Sequence, residues 1–280
     1  YFVFKNFLSK DFISKLIEEI NNAPNTVRYS DNSNNLRRIE KLHDKGKNLI
    51  DLNKKISILL KNIFNKEFLI FKDKFNIKPP GGEGFIAHYD GVFEFIDANN
   101  EKKRGWYEYG DSFVSALVAI DKCNNNNGTL ELAKSHKGNF DQLFENTKKD
   151  GTPALSVDVE AKTVFEPIDL DIGDVIIFSN SCPHRSQKNN SQEMRRIIYY
   201  TYTPSANGSK YNQYFADKDN SKDNKSKSFS EKPWKYINGT VFFFIYKIIW
   251  FSDLIMKLKK IVYVGLSVDI IHEGHINILK

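Results

Sequence analysis

The sequence predicts a mainly β domain, a sandwich or barrel with flanking helices. Among its 280 residues are 22 Phe and 13 Tyr, and aromatic side chains favour strands over a helical bundle. Short apolar runs are separated by turn-forming clusters, such as residues 124–128 and 171–174. Few helical patterns lie between these runs, so no doubly wound nucleotide fold is expected.

Two helices are predicted before the strands. Residues 7–21 carry apolar side chains at helical spacing, with Ser9 as the N-cap, and residues 50–64 fit a second helix. A strand over 68–77 ends in a Pro-Pro-Gly-Gly turn. Further strands are predicted over residues 84–88, 113–120, 129–132, 163–165, 174–178 and 196–203.

The last quarter of the chain changes in composition. Residues 217–232 are rich in Lys, Ser, Asp and Asn, which predicts a solvated linker. Residues 241–251 are strongly apolar but contain Lys247, and a membrane span needs about 20 apolar residues. A buried or interfacial helix is therefore expected there, and no transmembrane span.

Charge and cysteine content narrow the function classes. The net charge is +6, from 41 Lys and Arg against 35 Asp and Glu, but the lysines are scattered and form no basic helix. We therefore expect an enzyme acting on anionic small molecules, with no nucleic-acid partner. Cys123 and Cys182 are too few for a disulfide framework or a thiolate zinc cluster. Without a signal-peptide pattern, the expected location is the cytoplasm.

Three residues suggest a metal site. His88 and Asp90 are two positions apart on a predicted strand, where side chains share a face, and His184 follows 96 residues later. Two histidines and one carboxylate form the facial triad of non-haem Fe(II) oxygenases. A His-x-Asp pair alone fits equally a surface histidine beside a turn aspartate.

A serine and an arginine that follow His184 in the sequence strengthen the metal-site interpretation. Ser186 lies two positions after it and Arg195 eleven positions after it. A dicarboxylate co-substrate needs a guanidinium to hold its far carboxylate bidentately, and a hydroxyl adds a hydrogen bond.

These residues and the segments around them resemble the phytanoyl-CoA dioxygenase family of Fe(II)- and 2-oxoglutarate-dependent oxygenases. The resemblance runs from about residue 68 to residue 214. It includes Lys-Pro-Pro-Gly-Gly at 78–82, Ser-His-Lys-Gly at 135–138 and Asp-Ile-Gly-Asp at 171–174. Tyr89 departs from the family, in which many members carry Gln between the ligands.

The resemblance implies a double-stranded β-helix core, the jelly roll of cupin-like proteins. It implies that His88, Asp90 and His184 bind Fe(II), with 2-oxoglutarate and O₂ as co-substrates. The implied reaction hydroxylates a small organic substrate and releases succinate and CO₂.

The resemblance also places the co-substrate. Arg195 would hold the distal carboxylate of 2-oxoglutarate, assisted by Ser186. Arg196 would point to the other face of its strand. Lys74 or Lys72, on the strand entering the barrel, would also reach the co-substrate, although a solvated strand face explains these lysines equally well.

Three other residues are expected to be structural. His136 would lie in a loop, His43 on the surface and Cys182 in the core.

A second motif lies near residue 280. Residues 260–266 predict a strand, and His272-Glu273-Gly274-His275 follows in a loop that opens a helix, where a triphosphate can bind. The segment resembles the opening of cytidylyltransferases, particularly those attached to phosphonate-making enzymes. The resemblance implies nucleotide binding by His272 and His275; an accidental histidine pair in a terminal helix is the alternative.

The second motif suggests a phosphonate as the substrate of the oxygenase. A basic residue such as Arg104 or Arg37 would then be needed near the iron. The expected domains are a dioxygenase over 1–232, an apolar helical linker over 233–258 and the truncated start of an α/β nucleotidyltransferase over 259–280.

Two alternatives remain open. The first is a non-catalytic or zinc-binding cupin-like module fused to a nucleotidyltransferase that carries the main activity. The second is a nucleotidyltransferase whose N-terminal part is an interaction domain. Arg195 and Ser186 argue against a simple metal-binding scaffold, which needs neither.

Overall fold

The computed structural model describes residues 1–31, 34–97, 99–134, 140–150 and 152–220. Within these ranges the helices are α1 (Lys10–Asn22), α2 (Lys47–Phe64), α3 (Phe140–Glu145), α4 (Val157–Lys162) and α5 (Tyr211–Asn220). The strands are β1 (Phe2–Phe4), β2 (Val27–Ser30), β3 (Leu36–Glu40), β4 (Phe68–Lys78), β5 (Phe85–His88), β6 (Phe95–Ile96), β7 (Lys102–Lys103), β8 (Val114–Ala119), β9 (Leu130–Ala133), β10 (Phe165–Pro167), β11 (Val175–Ser179), β12 (His184–Ser186) and β13 (Arg195–Pro204). The predicted mainly β class is confirmed.

Two antiparallel sheets form the core of the described domain. The larger has the strand order β1-β11-β8-β13-β4-β3-β2, and the smaller has the order β10-β9-β12-β5. Many neighbours are distant in sequence, as β4 is beside β13 and β5 beside β12. This arrangement is the jelly roll that the family resemblance implies.

The central strands β4 and β13 separate an apolar layer from a polar one. Phe75 on β4 and Ile198 and Tyr200 on β13 join the large hydrophobic core, because alternate side chains of a strand face opposite sides. The alternate residues of the two strands, such as Lys74 on β4 and Tyr199 on β13, face a cavity inside the roll. One face of the sheet therefore packs in the hydrophobic core, and the other face lines the cavity.

Helices α1 and α2 cover the apolar face of the larger sheet. Leu16 of α1 and Leu52 of α2 are fully buried in the same core as Phe75. The Ser9 side chain accepts a hydrogen bond from the Phe12 N–H at 3.2 Å, so the predicted N-cap of the first helix is confirmed. The second predicted helix is also present, beginning three residues earlier, at Lys47.

The linker prediction is wrong at its beginning. Residues 217–220 belong to α5, because their charged side chains have partners on the domain. Asp217 accepts a hydrogen bond from the Tyr109 hydroxyl at 2.8 Å, and Lys218 forms an ion pair with the buried Glu40. Residues 221–232 lie outside the described residues, as do the apolar segment 233–258 and the segment 259–280 with His272 and His275.

Among the residues that the structure describes, no helix is long and apolar enough to cross a membrane.

Candidate metal centre and its cavity

Three potential metal ligands converge at one end of the smaller sheet. His88 is the last residue of β5 and His184 the first residue of β12, and the two are cross-strand partners. Asp90 follows β5 in a turn that continues through Gly91 at φ +79°. One ligand atom from each of the three residues lies within 4.8 Å of the other two. Asp90 therefore reaches the site from a turn, and the prediction that it shares a strand face with His88 is wrong.

Backbone carbonyls hold both imidazoles in one tautomer. The Nδ1 of His88 lies 2.8 Å from the Ile86 carbonyl oxygen, and the Nδ1 of His184 lies 3.0 Å from that of Cys182. Because a carbonyl can only accept, each Nδ1 carries the proton and each Nε2 presents its lone pair to a metal.

Burial keeps the two histidines neutral. It lowers the pKa of His88 to about 3, with the neighbouring His184 adding to the effect. Burial also lowers the pKa of His184. Metal binding requires the neutral imidazole, so both rings are ready to coordinate at neutral pH.

The Asp90 carboxylate stays charged in the same pocket. Burial alone would raise its pKa, but in the acid range where Asp90 titrates the protonated His184 and Lys74 outweigh that effect, so the pKa lies below its usual range. The Ser115 hydroxyl donates a hydrogen bond to Asp90 at 3.3 Å and lies 3.2 Å from the Thr201 hydroxyl. Two neutral imidazoles and one held carboxylate are the donor set that suits Fe(II).

Arg195 lies at the opposite end of β13 from Thr201, in the same cavity. It is 3% exposed, and no described residue accepts a hydrogen bond from its Nε. A buried guanidinium without an acceptor is costly unless an anion binds to it. The neighbouring Arg196 lies on the other face and forms an ion pair with Asp121 at 2.7 Å, as strand alternation predicts.

Lys78 supports the Arg195 end of the cavity, a role that the sequence did not predict. Its ammonium donates to the Ser186 hydroxyl at 2.8 Å, the Gln187 carbonyl at 2.5 Å and the Gly128 carbonyl at 3.2 Å. Burial and the adjacent Arg195 lower its pKa to about 6. Because Lys78 donates to the Ser186 oxygen, the single hydroxyl hydrogen of Ser186 is left for another acceptor. The Lys-Pro-Pro-Gly-Gly motif at 78–82, which begins with Lys78, was the sequence feature that could have indicated this role.

The cavity has a volume of about 210 Å³ and contains the metal-ligand triad, Arg195 and Ser186. Lys74 lies in it as predicted for a co-substrate contact, with its ammonium 4.5 Å from the centre of the Tyr199 ring. Burial lowers the pKa of Lys74 to about 7. Lys72 and Arg38 also line the cavity.

The two arginines expected near the iron are elsewhere. Arg37 forms an ion pair with Asp31 at 3.3 Å, and the Arg104 guanidinium stacks 4.2 Å from the centre of the Phe144 ring. Neither lines the cavity, so both named candidates are wrong, although another basic residue, Arg38, does line it. For Arg37 the cause is strand alternation, since Arg38 rather than Arg37 occupies the inward position of β3.

The structure describes two of the three residues that were expected to be structural. Cys182 is buried, as predicted. His43 is half-buried rather than on the surface, because its Nδ1 lies 3.4 Å from Asp73 and its ring packs against Tyr211. His136 lies outside the described residues.

The profile of the phytanoyl-CoA dioxygenase (PhyH) family matches residues 1–197. The chain belongs to the phytanoyl-CoA dioxygenase family. It is a non-haem iron dioxygenase that uses 2-oxoglutarate.

Curated relatives include two enzymes named for phosphonates. The chain is 27% identical over 219 residues to the 2-aminoethylphosphonate dioxygenase of an uncultured bacterium, HF130_AEPn_1, covering 75% of this chain and 76% of that enzyme. It is 30% identical over 151 residues to the methylphosphonate hydroxylase of Gimesia maris, covering 54% of this chain and 51% of that enzyme. The second match thus spans about half of the relative's length.

Solved structures share the fold. The non-haem α-ketoglutarate-dependent carbocyclase SnoK has a TM-score of 0.57 at 13% identity, covering 72% of this chain and 79% of SnoK. EctD from S. alaskensis with 2-oxoglutarate and 5-hydroxyectoine has a TM-score of 0.54 at 16% identity, covering 74% of this chain and 72% of EctD. These similarities agree with the jelly-roll assignment.

Proposed function

We propose that this PhyH-family dioxygenase hydroxylates a small phosphonate, with Fe(II) bound by His88, Asp90 and His184. The observation that carries the proposal is the convergence of these three ligands in a cavity that also buries Arg195 without a described hydrogen-bond acceptor for its Nε. A metal site and an anion site in one cavity are what a 2-oxoglutarate-dependent enzyme requires.

The metal ligands supply a preformed, one-sided site. The two Nε2 atoms and the Asp90 carboxylate leave positions free on the cavity side for small ligands. Iron bound there would supply the oxidising power together with 2-oxoglutarate and O₂, converting 2-oxoglutarate to succinate and CO₂ and adding one oxygen atom to the substrate. The protein itself orients the ligands and excludes water.

Arg195 and Ser186 hold the distal carboxylate of 2-oxoglutarate in this proposal. The guanidinium offers a bidentate contact, and the Ser186 hydroxyl donates its hydrogen because Lys78 occupies its oxygen. Lys74 lies two cross-strand pairs further along β4 from Lys78 and would neutralise the other carboxylate of 2-oxoglutarate.

The zinc-binding alternative is not favoured. A structural zinc site is closed by four protein ligands, whereas three converge here among the described residues. A zinc-binding module would also provide no anion to bind the buried Arg195 side chain.

The phosphonate is proposed from two independent supports. Two relatives are named for 2-aminoethylphosphonate and methylphosphonate. The cavity carries Arg38, Lys72 and Lys74, which favour an anionic substrate.

The domain organisation also remains a proposal. We infer an oxygenase over 1–232, a linker over 233–258 and the start of a cytidylyltransferase-like segment over 259–280, with His272 and His275 binding nucleotide. Its support is the sequence motif alone. Residues 259–280 cannot form a nucleotide site by themselves, so the test is the sequence that follows residue 280, and a continuation without further nucleotidyltransferase motifs would contradict the assignment.

Anaerobic titration with Fe(II) and 2-oxoglutarate tests the site. The wild type should show a metal-to-ligand charge-transfer band, and His184→Ala should lose it because one of three ligands is gone. His43→Asn is the matched control, since His43 lies beside Asp73 and does not line the cavity. Persistence of the band in His184→Ala would overturn the ligand assignment.

Succinate release across a phosphonate panel tests the substrate class. Stimulation by at least one phosphonate above the substrate-free rate is expected. No stimulation by any phosphonate, with the charge-transfer band intact, would overturn the substrate proposal and leave the iron site standing.

A further inference from the structure

Lys72 presents an ammonium in the cavity, and no described carboxylate lies within ion-pair distance of it, although Glu40, Asp90 and Asp73 act on its charge at longer range. Its described surroundings are aromatic: the Nζ lies 4.8 Å from the centre of the Trp106 ring and 5.4 Å from that of Tyr214. Aromatic faces hold a cation in position without neutralising it. The charge of Lys72 is therefore available to a ligand.

Lys72 lies beyond the space that the co-substrate needs. Cross-strand pairs on the cavity face run in the order Arg195–Lys78, Ile197–Asn76, Tyr199–Lys74 and Thr201–Lys72. Successive pairs on one face are about 7 Å apart. A five-carbon dicarboxylate held at Arg195 therefore occupies the middle of this series and leaves its Lys72 end open.

The Lys72 end is also the end at which the metal ligands lie. Asp90 is linked through the Ser115 hydroxyl to Thr201, the cross-strand partner of Lys72. A group bound at Lys72 would thus be next to the metal, on the side away from Arg195. This is where a substrate must be held for hydroxylation.

Arg38 completes the anion site. Its Nε donates to the Asn76 side-chain oxygen at 3.2 Å, and its Nη1 lies 3.6 Å from Glu40, so the guanidinium is fixed in orientation at the cavity wall. A fixed planar guanidinium beside a point-like ammonium suits a tetrahedral group with several anionic oxygens.

We propose that Lys72 and Arg38 form the subsite that binds the phosphonate group of the substrate and so determine substrate specificity. This inference rests on the proposed function above. It separates the two anions of the reaction, with 2-oxoglutarate at Arg195 and the phosphonate at Lys72.

The charge of the cavity also selects among phosphonates. Asp90 is the only carboxylate among its described lining residues, and it is committed to the metal. An ammonium group on the substrate would find no anionic partner there. We therefore expect an alkylphosphonate such as ethylphosphonate to bind more tightly than 2-aminoethylphosphonate.

Isothermal titration of the metal-loaded protein without oxygen tests the subsite. Ethylphosphonate, 2-aminoethylphosphonate and 2-oxoglutarate are titrated separately into the wild type, Lys72→Met and Lys72→Arg. Lys72→Met should weaken ethylphosphonate binding roughly 30-fold, as for loss of one partner of a buried charge pair, and leave 2-oxoglutarate binding within about twofold. Lys72→Arg should restore most of the affinity.

Two further variants serve as control and second test. Lys66→Met removes an exposed lysine just before β4 and should change neither affinity. Arg38→Lys keeps the charge but loses the planar fork, and should weaken ethylphosphonate binding about threefold or more. Retained 2-oxoglutarate binding shows that each variant is folded.

The outcomes separate the two proposals. Unchanged ethylphosphonate affinity in Lys72→Met, or an equal loss of 2-oxoglutarate affinity, would overturn the subsite alone. Tighter binding of 2-aminoethylphosphonate by the wild type would overturn the charge argument for the alkyl substrate. Binding of iron and 2-oxoglutarate but of no phosphonate would overturn the substrate proposal and the subsite with it.

Discussion

Replacement of Arg195 by glutamine tests the co-substrate site most directly. Arg195 is 3% exposed in the wild type, so a carboxylate bound to it is largely shielded from water. Removing one partner of a buried charge pair costs about 3–5 kcal/mol, which corresponds to a roughly 100- to 4,000-fold weaker affinity for 2-oxoglutarate. The Arg195→Gln variant also removes the neighbouring charge that lowers the pKa of Lys78, so Lys78, which lies behind Ser186, can supply a positive charge, and we expect a value near the lower limit.

The control for this variant is the adjacent residue. Arg196→Gln removes the same side chain one position along β13, but from the opposite face, where Arg196 pairs with Asp121. It should leave the affinity for 2-oxoglutarate unchanged while lowering stability through the lost ion pair. The charge of the deleted residue is identical in the two variants, so only its position differs.

The assay is an anaerobic titration of the Fe(II) protein with 2-oxoglutarate, followed by the charge-transfer band. Iron affinity, measured in the same samples, should be equal in Arg195→Gln and the wild type, because Arg195 is not a metal ligand. A loss of less than tenfold in Arg195→Gln, or an equal loss in Arg196→Gln, would refute the assignment of the distal carboxylate to Arg195.

Two further predictions concern stability. The folded pKa of Glu40 is lowered from 4.5 to about 2: burial would raise it, but Lys218 and Arg38 outweigh that effect. Glu40 should therefore contribute about 3 kcal/mol that is present above pH 4.5 and lost as the pH falls towards 2. Urea unfolding should show a flatter dependence on pH for Glu40→Gln over this range, and an unchanged dependence would contradict the pairing. Gly91→Ala should weaken both the fold and iron binding, because a Cβ there lies 2.7 Å from the Trp106 ring at φ +79°. Gly208→Ala, at φ +69° with no atom within 4 Å, is the control for backbone strain, and equal effects on iron affinity would contradict the role of the Trp106 contact.

Local sequence patterns predicted the elements whose causes are local. The first helix has its predicted N-cap at Ser9, and the long strands β4, β8, β11 and β13 are where apolar runs indicated. The short strands β1 and β12 were missed because pairing, rather than composition, makes them strands. β1 is three residues long and pairs with β11, more than 170 positions away.

The candidate site shows the same limit. The spacing of His88, Asp90 and His184 identified three residues that the structure brings together, and family resemblance added Arg195. Nothing local indicated that Arg38 rather than Arg37 faces the cavity, because that depends on the register of β3 against β4. Lys78 was part of a recognised motif, but its three acceptors come from segments 50 residues or more away.

The face of β4 that points into the roll consists of polar and charged side chains. Its four inward residues from Lys72 to Lys78 are Lys, Lys, Asn and Lys, in a strand whose other face packs in the hydrophobic core. Burying ammonium groups disfavours their charged form, as the lowered pKa values of Lys74 and Lys78 show. Such an arrangement lowers the stability of the empty protein, and bound anions reverse that loss. A reaction with one anion at Arg195 and a second at Lys72 uses positive charge along the whole strand, whereas a single dicarboxylate would use only half of it.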